Sequence, residues 1–294
     1  MKKASLFLSI LIFLLVFHNE TITGAQNGLL LWYQILIPSL LPFILVTNAL
    51  SETNAYMYFT TILYPIFKDK SYEIIVLILG NLCGYPIGGK IISNFIKGNI
   101  IEKERGNRIL PLASSASPMF IIGYVYEHIL DKKCPFFIFI LSIYFPILLG
   151  YFLSLRKDNT KKKITNHTAK NQNHPITDTF MQSVKTMVFI GIYVMIFSVL
   201  FEIILPFCKP IKLQIPLSFL EITTGLNILS KSFRMISLYN PIVGALTAFG
   251  GLCSAFQISC VFDHKEMNIK KYLQHKFLLC AGTFTIILIY QEFF

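Results

Sequence analysis

Charge is scarce in this sequence: 14% of its 294 residues are Asp, Glu, Lys or Arg, against 54% that are hydrophobic. A soluble domain of this size does not need so many long apolar runs, so the composition excludes a water-soluble globular fold. Alternation of apolar and polar residues is also missing, which argues against an outer-membrane barrel. The six cysteines (Cys83, Cys134, Cys208, Cys253, Cys260 and Cys280) form no CxxC pair and no Cys/His spacing that suits a metal. No disulfide, no metal and no cofactor is expected. There is no GxSxG, Walker loop, HExxH or dinucleotide fingerprint, so the chain is not expected to be an enzyme. Asp263 and His264 adjoin in a loop, but neighbours in sequence do not make a dyad. No carboxylate in an apolar run is well placed for proton or sodium coupling. Glu202 and Glu221 come nearest, and both are expected near span ends.

What remains is an all-α, polytopic transmembrane helix bundle of about eight to ten membrane elements, some broken or re-entrant. The net charge of +11 lies mostly in loops. It reports membrane orientation rather than nucleic-acid binding. The partners expected are therefore the lipid bilayer and a small-molecule anionic substrate, with no nucleic acid. Self-association into a homo-oligomer is left open.

The chain opens with Lys2 and Lys3 and an apolar run from Ala4 to Phe17. This resembles the start of a signal peptide, but the many later spans favour an uncleaved first transmembrane helix within residues 1–24. Residues 28–50 form the next span, with Pro38 and Pro42 expected to kink it and Trp32 and Tyr33 expected as interface anchors. Residues 56–67 and 72–96 follow. Residues 97–108 read as a charged loop or surface helix, 109–130 as a second interrupted span and 134–155 as a plain one. A first repeat half is thus expected over 25–155. Residues 156–175 are a basic linker, cytoplasmic by the positive-inside rule, which discounts the sequon Asn166-His167-Thr168. A second half follows over 176–294, with elements at 177–206, 217–231, 237–262 and 272–293.

The stretch Gly80–Lys90 lies where a membrane helix should be continuous, yet it carries four glycines, a proline and a lysine. Irregular backbone at that depth survives only where protein or a wet cavity satisfies its polar groups. Two readings are open: a binding site, or a tight helix crossing in which the glycines let backbones approach. Pro111–Pro118, with Ser114, Ser115 and Ser117, is a second break, and Gly250-Gly251 followed by Ser254 and Gln257 is a third. A half-helix starting at mid-membrane presents unpaired N–H groups and a positive dipole end that suit an anion. Lys90 can add a full charge there, or snorkel to the headgroups. Asn81 and Gln257 can donate and accept, which suits the polar edge of an aromatic ligand. The expected substrate-binding set is Asn81, Gly84, Tyr85, Pro86, Gly88, Lys90, Ser114, Ser115, Ser117, Pro118, Gly250, Gly251, Ser254 and Gln257.

An internal repeat is also expected. Gly80-Asn81-Leu82-Cys83 recurs as Gly250-Gly251-Leu252-Cys253, and Asn99-Ile100 as Asn268-Ile269 at nearly the same spacing. Elements 28–50, 56–67, 72–96 and 109–130 then pair in order with 177–206, 217–231, 237–262 and 272–293. Each pair is an odd number of elements apart, which implies an inverted repeat, a transporter signature.

Several motifs carry a family resemblance: Gly28–Trp32 followed by Ile37–Phe43, Gly84–Lys90, Ala116–Gly123 and the weaker Gly250-Gly251-Leu252 with Gln257. Together they resemble the YlbJ-type sporulation integral membrane proteins of endospore-forming bacteria, which carry a nucleoside-recognition or Gate domain. The resemblance implies a permease of dipicolinic acid in the outer forespore membrane, or otherwise the cell membrane. An envelope assembly protein and a nucleoside transporter are the alternatives.

Overall fold

The computed structural model describes residues 2–52, 56–130, 134–156, 176–208, 210–262 and 267–293. The basic linker, its sequon and the Asp263-His264 pair fall outside the described residues, apart from Arg156 at the linker's start. Every regular element among the described residues is helical. The first half holds α1 (Lys2–Val16), α2 (His18–Leu31), α3 (Ile37–Glu52), α4 (Tyr56–Phe67), α5 (Ser71–Cys83), α6 (Ile87–Lys97) and α7 (Lys103–Ile109). A π-helical segment, Phe120–Ile129, and α8 (Phe136–Arg156) complete it. The second half holds α9 (Ile176–Ile204), α10 (Ile211–Leu217), α11 (Ile222–Ser232), α12 (Tyr239–Phe249), α13 (Gly251–Val261) and α14 (Ile269–Phe293).

Five helices among the described residues are long and apolar enough to cross a bilayer: His18–Leu50, Phe136–Arg156, Thr177–Phe207, Tyr239–Val261 and Ile269–Phe293. Their faces divide as lipid contact requires. On α8, Phe139, Ser142, Ile143 and Ile147 point inward, while Leu141, Phe145, Leu148 and Phe152 are exposed. On α9, Val184, Val188, Ile192 and Ile196 form an exposed apolar stripe at helical spacing. Bare apolar faces of this extent are a liability in water and an ordinary surface in hydrocarbon.

The first long helix starts at His18, ahead of the expected residue 28. It also runs through Pro42. A π-helical turn, Trp32–Leu36, precedes Pro38, which has no N–H to give the preceding turn. Gly24 and Gly28, four residues apart, lay this helix on α9. A Cβ at either would come within 2.6 and 2.8 Å of the Val199 and Met195 α-carbons. Without a hydrophobic driving force between helices in lipid, such small-residue contacts carry the packing. Trp32 belongs to this interface rather than to an aromatic belt. Its indole covers Gly191 and donates to the Met187 carbonyl at 2.9 Å. Tyr33 is exposed.

Each half holds a hairpin followed by an interrupted segment. In the first, α5 turns at Gly84–Pro86 and α6 folds back, so that Gly80 meets Gly88. The segment after α7 then loses regular structure before the π-helical stretch. In the second, α10 and α11 fold together around Ser218–Glu221, where Gly225 lies against Ser218. The left-handed Gly250 then separates α12 from α13. Each hairpin tip is bonded to the interruption that follows it. Tyr85 N–H donates to Ser115 O at 3.1 Å, and Leu252 and Cys253 N–H donate to Phe219 and Leu220 O at 2.7 and 2.9 Å.

This arrangement corrects the expected pairing of the halves. The match of Gly80–Cys83 with Gly250–Cys253 aligns a hairpin arm with a helix interruption. By shape and by these tip bonds, α5–α6 corresponds to α10–α11 and the interruption before Phe120 to Gly250. Glycine recurs at both places for different reasons: a close helix crossing at Gly80 and a left-handed φ at Gly250.

A buried ion pair fixes the surface helix α7. Arg105 gives two bonds to Glu73, 3.0 Å to Oε1 and 2.7 Å to Oε2, and its Nη1 donates to Ser154 O at 3.0 Å. Tyr151 Oη donates to the same carboxylate at 3.1 Å. Both charged side chains are thus compensated, as burial demands.

Candidate functional site

The two hairpin-and-interruption units meet across the centre of the molecule. The ring of Tyr85, at the first tip, lies over Gly250, where an added Cβ would sit 3.2 Å from Cε1. Gly89 on α6 likewise faces Ile258 and Val261 on α13. The contact leaves two neighbouring spaces.

The outer one is a cavity of about 360 Å³ between the first hairpin, α9 and α13. Pro86 and Lys90 line it from the hairpin, and Gln257 and Cys260 line it from α13. The remaining wall is a single face of α9, with Gln182, Lys185, Thr186, Phe189 and Tyr193. Two lysines and no carboxylate stand among its described lining residues. The Lys90 ammonium donates to Asn48 Oδ1 at 2.9 Å and to Gln182 Oε1 at 3.5 Å, so it turns toward α3 and α9 rather than snorkelling outward. Asn48 is held in turn by its donation to Ser183 Oγ at 2.7 Å. Tyr193 Oη and Cys260 Sγ share a hydrogen bond at 2.6 Å that joins α9 to α13.

The inner space is a narrow pocket lined by Tyr85, Glu221, Thr223, Gly250, Cys253, Ser254 and Gln257, with Leu36, Leu40 and Val194 among its apolar contacts. Gln257 lines both spaces. It is 5% exposed. Its amide nitrogen donates to Cys253 Sγ at 3.2 Å, and its Oε1 has no hydrogen-bond partner among the described residues. A buried carbonyl oxygen without a donor costs about 1–3 kcal/mol, which a ligand N–H or O–H beside it would recover.

Glu221 corrects the expectation of a carboxylate near a span end. It lies at the second hairpin tip, 2% exposed, and caps α11. It accepts from Thr223 N at 3.1 Å, Thr224 N at 2.6 Å and Thr223 Oγ1 at 2.6 Å. The helix end that could have taken an external anion is therefore already occupied by an internal one.

The expected site residues separate into two groups. Pro86, Lys90 and Gln257 meet in the cavity, and Tyr85, Gly250, Ser254 and Gln257 meet in the pocket. Asn81, Gly84, Gly88, Ser114, Ser115 and Ser117 lie where the first hairpin packs on its interruption. Side chains at Gly80 and Gly88 would both overlap the Ala113 carbonyl, and one at Gly84 would crowd Ser117 N. Asn81 donates to the Leu77 carbonyl, one turn back in α5, and to the Leu112 carbonyl in the interruption, at 2.8 and 2.9 Å. Ser117 Oγ accepts from Phe120 N at 3.3 Å. Pro118 is half-buried at the start of the following helix, and Gly251 packs on the Leu220–Glu221 backbone. The α9 face escaped the sequence reading. Its signal is Gln182, Thr186, Phe189 and Tyr193 at helical spacing inside an apolar span.

Fold and site together define an integral membrane helix bundle with paired hairpins and interrupted helices, in which the first hairpin, α9 and α13 line a cationic, partly polar cavity. The sequence is similar to the sporulation integral membrane protein YlbJ of Bacillus subtilis (strain 168), 23% identical over 333 residues that cover 97% of this chain and 81% of that protein. The similarity supports assignment to the YlbJ-type sporulation integral membrane proteins. No family model matches the chain, and no solved structure matches it.

Proposed function

We propose that this chain is a permease for a small aromatic carboxylate, with dipicolinic acid as the substrate, in the outer forespore membrane during sporulation. One observation carries the reading: Lys90 and Gln257, from opposite halves, line a single cavity that also holds Lys185 and has no carboxylate among its described lining residues. Two ammonium groups match the two carboxylates of a flat dianion. Gln182 and Gln257 can bond its polar edge, and Phe189 and Tyr193 offer ring faces for stacking. The relative's description as a sporulation membrane protein supports the setting. A carrier that binds and releases needs no catalytic group, so we read the chain as a non-enzyme.

The test is uptake of labelled dipicolinate by vesicles containing the purified protein. Uptake above that of protein-free vesicles is expected, and equal uptake ends the substrate assignment. An assembly scaffold would pack its broken segments dry, and the cavity with Gln257 Oε1, unpartnered among the described residues, favours the permease over it. A nucleoside is the second reading, and it too would occupy the outer cavity, because the inner pocket of about 10 Å³ holds no more than a water. Uptake of labelled uridine instead of dipicolinate by the same vesicles would select it.

A further inference from the structure

Lys276 belongs to neither cavity, yet it is fully buried about two turns into α14, one of the five candidate spans. Its Nζ donates to two main-chain carbonyls, Ser114 O at 3.0 Å and Ala248 O at 2.8 Å. One belongs to the interruption of the first half and the other to the last turn of α12, beside the Gly250 break. Both carbonyls have lost their helical donors for identifiable reasons. The residue four after Ser114 is Pro118, which has no N–H. The residue four after Ala248 is Leu252, whose N–H is turned to Phe219 O. The two interruptions thus present converging, donor-less carbonyls at one point. Unwound carbonyls and half-helix C-terminal ends are the groups that hold coupling cations in membrane carriers.

We propose that Lys276 is a tethered cation: its ammonium fills a carbonyl seat shared by the two interruptions, where a mobile sodium or potassium ion would otherwise bind. The side chain joins the two halves in every cycle, and the seat takes no free ion while Lys276 is present. An intramembrane lysine whose described partners are backbone carbonyls is expensive to bury, and satisfying two orphaned carbonyls at once offsets that cost. The permease reading explains why two interruptions need joining, but the seat itself is tested by stability, so the failure of either claim is distinguishable from failure of the other.

The experiment is thermal unfolding of the purified full chain in detergent at constant ionic strength, with sodium, potassium, methylammonium or the bulky N-methyl-D-glucamine as the cation. The native protein is expected to melt at the same temperature in all four. Lys276→Ala, which opens the seat, should melt roughly 5 °C or more lower in N-methyl-D-glucamine. It should recover at least half of that loss in methylammonium or a small alkali ion. Lys276→Met, which fills the space without a donor, should be destabilised and show no recovery. Selective stabilisation of the native protein by sodium or potassium would overturn the proposal, and this arm stands even if a variant fails to fold. A Lys276→Ala protein that is as stable as native, or that no small cation rescues, would overturn it as well.

Discussion

The ring of Tyr85 covers the α-carbon of Gly250, joining the tip of the first hairpin to the break in the second half. Gly250 also has φ +84°, a left-handed conformation that costs other residues about 1–2 kcal/mol. Gly250→Ala is therefore expected to lose at least that much stability and to slow uptake by displacing Tyr85 into the inner pocket. Thermal unfolding and initial uptake rates on the same preparation check both effects.

Gly88 and Gly123 give an internal contrast. A Cβ on Gly88 would overlap the Ala113 carbonyl, which is main chain on both sides and cannot move aside. Gly88→Ala should prevent the hairpin from seating and abolish accumulation of monodisperse protein. Among the described residues, nothing lies within 4 Å of an added Cβ on Gly123. Gly123→Ala should be neutral or stabilising by up to about 1 kcal/mol. Size-exclusion profiles of the two variants distinguish these outcomes.

Arg105 and Glu73 form a buried, two-point ion pair. Removing Arg105 leaves the buried Glu73 with only the part-exposed Lys70, at 3.2 Å, as counter-charge, a loss toward the lower end of the about 3–5 kcal/mol of a broken buried pair. Arg105→Met should be severely destabilised. Arg105→Met combined with Glu73→Met should regain much of that loss, because no orphaned charge remains. Unfolding midpoints of the single and double variants measure the coupling.

Lys90 is half-buried and fixed by Asn48, whereas Lys185 is exposed on the α9 face of the same cavity. Water screens an exposed charge more than a partly buried one. Lys90→Met should raise KM for dipicolinate about tenfold, the equivalent of 1.4 kcal/mol of lost attraction. Lys185→Gln should raise it less and with a stronger dependence on salt. Uptake titrations at two ionic strengths decide this.

Membrane class, helical content and the positions of the three breaks follow from the sequence, because they depend on local facts. Apolar runs must be helical in lipid, and clustered glycine and proline interrupt a helix wherever they stand. The pairing Lys90 with Gln257 was legible for the same reason, since both are polar residues beside a break. Which glycines pack and which turn was not legible. Gly80 and Gly250 look alike in sequence, and only the fold shows that one meets Ala113 O and the other bends the chain. Glu221 and Lys276 were beyond the sequence for a related reason. A charged residue within an apolar run can end a span, snorkel or turn inward, and neighbours from distant segments make the choice. Here the packing of the two halves seats Glu221 opposite Tyr85 of the first hairpin, while Ser114 and Ala248, far apart in the chain, converge on Lys276. The sequence alone determined that backbone groups would be set free inside the bilayer. The tertiary structure decided which side chains satisfy them, because that depends on which distant segments the packing of α2 on α9 and α14 on α12 brings within hydrogen-bond reach.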